Sequence, residues 1–158
     1  MFLLGDIGGT NIRLACYSNE EKKMSNIANY STQDYDSFVN VLSEYQRQYS
    51  VSPSKGYIAV AAPVEGNTAR LTNAAFSVSA QEIEFPITIA NDLEAAAWGI
   101  AQLLEEQRQI LQKGRSKDGL ELVLGVGTGL GMAIVDRETK KVYSTEAGHG
   151  SLGFSSLE

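Results

Sequence analysis

The stretch Phe2-Leu3-Leu4-Gly5-Asp6-Ile7-Gly8-Gly9-Thr10-Asn11-Ile12-Arg13-Leu14 decides the fold. A mostly apolar run carries one acidic residue near its end. Two glycines and a hydroxyl follow, and a second apolar run begins at once. This pattern predicts strand, tight turn, strand. A Gly-Gly pair permits positive φ and close approach of a ligand, because no Cβ stands in the way. Successive N–H groups in such a turn can converge on phosphate oxygens, and the Thr10 hydroxyl adds a donor. A carboxylate such as Asp6 fits beside a phosphate when a divalent cation lies between them, held directly or through water. The same residues also suit a plain β-hairpin with a solvated Asp, and the stretch by itself leaves both readings open.

Outward from this stretch, the composition bounds the answer. The chain has 158 residues, 43% of them apolar, which suffices for a core and argues against disorder. A net charge of −6 without a Lys/Arg cluster lacks the electrostatic footprint of a nucleic-acid binder. Cys16 is the only cysteine, so no internal disulfide and no cysteine-rich zinc site can form, as suits a reducing cytosol. No basic leader precedes the first apolar run, and no apolar stretch reaches membrane-spanning length.

Strands are expected at 2–7, 11–18 and near 24–30, forming an antiparallel meander. Tyr35, Phe38, Val39, Leu42, Tyr45 and Tyr49 recur at helical spacing, predicting an amphipathic helix capped by Asp34 or Asp36. Residues 57–62 and 87–90 read as strands covered on both faces, and 68–72 as a short edge strand. Leu93, Ala96, Ala97, Ile100, Leu103 and Leu104 predict the inner face of a second helix. With the first helix, it is expected to bury strands 57–62 and 87–90. The polar segment 105–119 reads as the end of that helix and a connection. A new sheet follows from Leu120, with a hairpin over 132–135 and 141–143. No helix remains to cover its second face. The order suggests two related α/β halves with a cleft between them.

Three further clusters could carry chemistry. Gly127-Thr128-Gly129-Leu130-Gly131 has more glycines than a simple turn needs. It is a second candidate phosphate cradle, with a bulged hairpin as the alternative. Asn91-Asp92 follows an apolar strand and precedes a helix, at the edge where open α/β sheets bind ligands. Helix capping explains one of the pair and leaves the other able to face a cleft. Glu146-Ala147-Gly148-His149-Gly150 sets the only histidine three residues from a carboxylate among glycines. Metal binding there is disfavoured, with no Cys nearby and no second His. Thr72-Asn73 follows a short strand and reads as an ordinary turn.

Taken in order, Gly5 to Ala15, Leu71-Thr72-Asn73, Asn91-Asp92, Gly127 to Gly131 and Glu146 to His149 resemble the bacterial glucokinase family of the actin–hexokinase–Hsp70 superfamily. The resemblance runs the whole chain. It implies an α/β chain of ribonuclease H-like, actin-like ATPase fold, with a mixed sheet and helices. A first domain would cover residues 1–109, and 110–158 would begin a second. Asp6, Gly8, Gly9, Thr10 and Asn11 would form one phosphate loop. Gly127, Thr128, Gly129 and Gly131 would form the other, with Asp6 holding Mg²⁺ through water. Asp92 would be the catalytic base. Thr72, Asn73, Asn91, Asp92, Glu146 and His149 would line the sugar site.

The activity so implied is transfer of the ATP γ-phosphoryl group to the 6-hydroxyl of glucose, with ATP and Mg²⁺ as cofactors. A cytoplasmic, homodimeric full-length enzyme follows from the same resemblance, without nucleic-acid or membrane partners. The chain departs from the family in length. The adenosine-binding segment, a further sugar-binding Glu and the closing C-terminal helices have no counterpart, so the chain looks like an N-terminal half. Two other readings share the fold: a non-catalytic sugar sensor and a filament or chaperone ATPase. The sensor should lack Asp92 or carry a DNA-binding helix pair. The ATPase should lack Asn91-Asp92 together with Glu146 and His149.

Overall fold

The computed structural model describes residues 1–71, 77–115, 119–126 and 130–145. The contacts divide the chain into two compact units, Met1–Asp92 and Leu93–Glu158.

The first unit opens with β1 (Phe2–Ile7), β2 (Asn11–Ser18) and β3 (Lys23–Ser31), followed by α1 (Phe38–Tyr49) and β4 (Lys55–Val60). Then come the short strands β5 (Val64–Glu65), β6 (Thr68–Arg70) and β7 (Ser77–Ser79), and finally β8 (Ile87–Asn91). The main sheet has the order β3-β2-β1-β4-β8. β1, β2 and β3 form the expected antiparallel meander, while β4 runs parallel to both β1 and β8. The short strands form a separate sheet, β5-β6-β7. The segment expected at an edge, Thr68–Arg70, is therefore its central strand.

Alternation decides which face is buried, because successive strand side chains point to opposite sides. Leu3 pairs with Cys16 and Gly56, and Ile7 with Ile12 and Val60. These residues face the core together with Ile58, Leu14 and the α1 residues Phe38, Val41, Leu42 and Tyr45. Burial of each large side chain stabilises the unit by about 1.5–3 kcal/mol. The packing is close: a Cβ on Gly5 would lie 2.8 Å from Ile58 Cδ1.

The cap of α1 is Ser37, whose hydroxyl accepts from the Asn40 N–H at 3.3 Å. It replaces the expected Asp34 or Asp36, because Thr32–Asp34 wind into a 3-10 turn and Tyr35 is extended. The helix closes at Ser50 in the left-handed region, with its N–H bonded to the Gln46 carbonyl.

The second unit contains α2 (Asp92–Ala101), apart from its first residue, then β9 (Leu120–Val126), β10 (Leu130–Asp136) and β11 (Lys141–Thr145). The strands form an antiparallel sheet in the order β11-β10-β9. Two expectations about α2 change here. The helix is expected from its spacing to bury the β4 and β8 strands. Instead Ala97 is buried with Val123, Ala133 and Val135, and Leu93 packs against them. Ala69, Leu71 and Val78 join the first core in its place. The helix was also to continue through Leu104. It ends at Ala101, where Gln102 and Leu103 bond three residues back and Arg108 Nη2 donates to the carbonyls of Ile100 and Leu103. Ile100, Leu103 and Leu104 are consequently exposed. The far face of β9 carries Leu120, Leu122, Leu124 and Val126, between 50% and 85% exposed. No described helix is long and apolar enough to cross a membrane.

Candidate active site

The three parallel strands of the first unit end together. Ile7 pairs with Val60, and Val60 pairs with Asn91. The turn Gly8–Asn11 and the pair Asn91-Asp92 therefore leave the same edge of one sheet, two strands apart. That separation is about 10 Å at the usual strand spacing. In open α/β sheets, the carboxyl ends of parallel strands are where ligands bind.

Hydrogen bonds tie this edge together. The Ala61 N–H donates to the Ile7 carbonyl at 2.9 Å, and Asn91 Nδ2 donates to the Ala62 carbonyl at 3.2 Å. Asn91 is half-buried on β8, while Asp92 is exposed and opens α2. An acidic residue at a helix N-terminus is favoured by the aligned peptide dipoles. The exposed carboxylate of Asp92 can also meet a polar substrate at the edge.

In the Gly8–Asn11 turn, the Gly8 N–H donates to the Asn11 carbonyl at 2.9 Å. Two carbonyls of the turn are held by Thr32, which the sequence motifs did not single out. Its hydroxyl donates to the Gly8 carbonyl and its N–H to the Thr10 carbonyl, both at 2.9 Å. Thr32 is 2% exposed, the one buried polar side chain among the described residues. It lies in the polar run Ser31-Thr32-Gln33-Asp34, where nothing in the pattern marks one hydroxyl from another.

Asp6 faces Arg13 across β1 and β2, with the Arg13 Nη1 at 3.7 Å. Both side chains are more than half exposed, so the pair contributes at most about 1 kcal/mol and separates easily. Among the described residues no three His, Cys, Asp or Glu side chains gather to hold a metal ion. One exposed carboxylate beside a turn of N–H groups still suits Mg²⁺, which keeps several waters and takes its other ligands from phosphates.

Of the remaining candidates, Gly131 lies on β10 opposite Gly125. A Cβ on either would come within 3.0 Å of the Leu93 side chain, so both glycines have a packing role. Thr72, Asn73, Gly127, Thr128, Gly129, Glu146 and His149 lie outside the described residues.

The family described as Glucokinase matches residues 3–158. The chain is similar to the glucokinases of Salmonella arizonae and Salmonella newport, each 33% identical over 97% of this chain and 50% of theirs. Among solved structures it is similar to a glucokinase from an Antarctic psychrotroph, with a TM-score of 0.78 and 26% identity. That match covers 98% of this chain and 52% of the other. A glucokinase from Balamuthia mandrillaris, solved in complex with glucose, shares the fold with a TM-score of 0.69 at 23% identity, over 96% of this chain and 49% of that one. The chain thus spans about half the length of the relatives it matches. It has their actin-like ATPase fold over that span, as the mixed five-stranded sheet indicates. By the match across nearly its whole length, the chain belongs to the glucokinase family.

Proposed function

We propose that this chain forms the N-terminal half of an ATP-dependent glucokinase and that Asp92 is its catalytic base. The observation that carries the reading is the common edge: the Ile7, Val60 and Asn91 register brings a glycine turn and a carboxylate to neighbouring positions. Phosphoryl transfer asks for that pairing, since its loose transition state is served chiefly by positioning and charge neutralisation.

In this reading the turn Gly8, Gly9, Thr10 and Asn11 receives phosphate oxygens through N–H groups and the Thr10 hydroxyl. Gly127, Thr128, Gly129 and Gly131 form the second cradle. Asp6 would hold Mg²⁺ through water, and the ion would supply neutralisation of the phosphate charge. Asn91, Asp92, Glu146 and His149 bind sugar hydroxyls, with Thr72 and Asn73 nearby. Selectivity for glucose follows because a wrong sugar leaves polar groups of the site unpaired. The 6-hydroxyl oxygen bonds to the γ-phosphorus as the bond to the β,γ-bridging oxygen breaks and ADP leaves. Asp92 receives the hydroxyl proton. A carboxylate is a weak base toward an alcohol, so Asp92 orients the hydroxyl and takes its proton late.

A glucokinase of this kind works in the cytoplasm and, at full length, as a homodimer. The glucose-bound relative supports the choice of sugar. A sugar sensor without catalysis is the weaker reading, because Asp92 is present at the edge. Glucose titration of the chain, with and without a non-hydrolysable Mg·ATP analogue, tests the proposal. Binding of both ligands is expected; binding of neither removes the reading.

A further inference from the structure

We propose that Thr32 is a positioning residue that presents the Gly8–Asn11 turn to phosphate, an inference that rests on reading that turn as a phosphate loop. Thr32 reaches the turn twice, from its side chain to the Gly8 carbonyl and from its backbone to the Thr10 carbonyl. Each bond fixes a whole peptide plane, because the peptide unit is planar. The described peptide bonds are trans, so the N–H on the far side of each plane points opposite to its carbonyl. Gly8 C=O directed at Thr32 thus turns the Gly9 N–H away from it. Thr10 C=O directed at Thr32 does the same for the Asn11 N–H.

The turn has two glycines and could rotate these planes without Thr32. A flipped Gly8–Gly9 plane would exchange a donor for a carbonyl oxygen, which repels a phosphate. Gly9 is half-exposed, and Thr10 and Asn11 are exposed. Thr32 itself is buried behind them. It therefore acts on the orientation of the turn and not by touching a ligand. Its position also links the turn to the entry of α1, since Thr32 begins the 3-10 turn that leads to the Ser37 cap.

The hydroxyl can be removed with little change of shape. Thr32→Val keeps the branched side chain and the backbone N–H, whereas Thr32→Ser keeps the hydroxyl. Calorimetric titration of the 158-residue chain with Mg·tripolyphosphate, a Mg·ATP analogue that needs no adenosine pocket, and separately with glucose, gives the readout. Thr32→Val is expected to weaken analogue binding about 3- to 10-fold, the worth of one hydrogen bond, and to leave glucose affinity unchanged. Thr32→Ser should restore wild-type behaviour. Where Thr32→Val does not fold, Thr32→Cys, which keeps a weak donor, is read in its place with a loss in the same direction. A wild-type chain that binds no analogue overturns the phosphate-loop reading and the role of Thr32 with it. A wild-type chain that binds while Thr32→Val binds equally well overturns the role of Thr32 alone. Equal losses for analogue and glucose would mark a purely structural residue and overturn it too.

Discussion

The two roles proposed for Asp92, helix start and base, are separated by a single substitution. Asn is as good as Asp at a helix start but cannot accept a proton. In a complete enzyme carrying this half, Asp92→Asn should keep the fold and most of the glucose affinity. Turnover should fall about 10²- to 10⁴-fold, the usual contribution of a general base. Steady-state kinetics beside a glucose titration decides, and near-normal turnover would leave Asp92 with only its helix. Glu146→Gln and His149→Ala should each weaken glucose more than nucleotide, by roughly 1.5–3 kcal/mol for a hydrogen bond to a charged group. Calorimetry in which the nucleotide affinity falls instead would reject the sugar assignment. Away from the site, Tyr45 makes the first unit sensitive to alkali. Its hydroxyl donates to the Asn26 carbonyl at 2.9 Å and contacts Cys16 Sγ at 3.3 Å. Burial raises its phenol pKa, with the Cys16 hydrogen bond next in size. Burial also pushes Tyr35 up to about 12, aided by its bond to Glu44. A raised phenol keeps the folded state protonated where the unfolded chain ionises. The stabilisation is thus whole below the ordinary value of 10.0 and declines as pH rises above it. Denaturant melts across that range should show the decline, and Tyr45→Phe should flatten it. At this scale the sequence spoke clearly where a residue type is rare in its setting, as with Asp6 before two glycines. It was silent on Thr32, because burial and a turn's carbonyls are not written in a local pattern.

Elements were legible to the extent that their periodicity is local. β1 and β2 begin and end where alternation and the glycine turn require, and α1 follows its apolar spacing through Tyr49. The second helix shows the limit of that signal. Leu93, Ala97, Ile100 and Leu104 share a face by spacing, yet spacing neither says which sheet the face meets nor where the helix stops. The stop is set by Arg108, which turns its guanidinium back onto two carbonyls. The docking is set by Gly125 and Gly131, paired across β9 and β10 so that Leu93 packs over them. Gly131 is a phosphate-cradle candidate by sequence, and its packing role is testable. Gly131→Ala brings a Cβ to 3.0 Å from Leu93 Cδ2. Because a flexible side chain can give way, the loss should be near the low end of overpacking, about 1 kcal/mol. Leu93→Ala should cancel most of that loss in a double-mutant cycle, since residues in contact couple. Denaturant unfolding of the four variants measures it. Additive effects would mean that the notch is not what Gly131 provides.

Across the whole chain, each of the two larger sheets is covered on one face. The first is sealed on one side by α1 and the small β5-β6-β7 sheet. The second is covered by α2 on one side only. On its other face Leu120, Leu122, Leu124 and Val126 stand beside Leu130, Met132 and Ile134 through the β9–β10 register, and Tyr143 pairs with Ile134 from β11. Such an apolar face, on the order of a few hundred Å², matches the largest patch a typical monomer exposes, which is often a contact surface. The chain spans half the length of its relatives, so the chemistry and this face lead to one expectation. The purified 158-residue chain should self-associate as concentration rises. It should also form glucose 6-phosphate far below the roughly 1–100 s⁻¹ of a working kinase. Leu122→Lys with Leu124→Lys adds two charges to the face without touching Val123 in the core. Sedimentation velocity over a concentration series should then show the double variant monomeric where the parent associates. Association that survives both lysines would place the contact elsewhere on the chain. A coupled assay on the same preparations reads turnover directly. Kinase-range turnover would mean that the Gly8–Asn11 turn, Asp92 and the sugar cluster suffice for catalysis within these 158 residues.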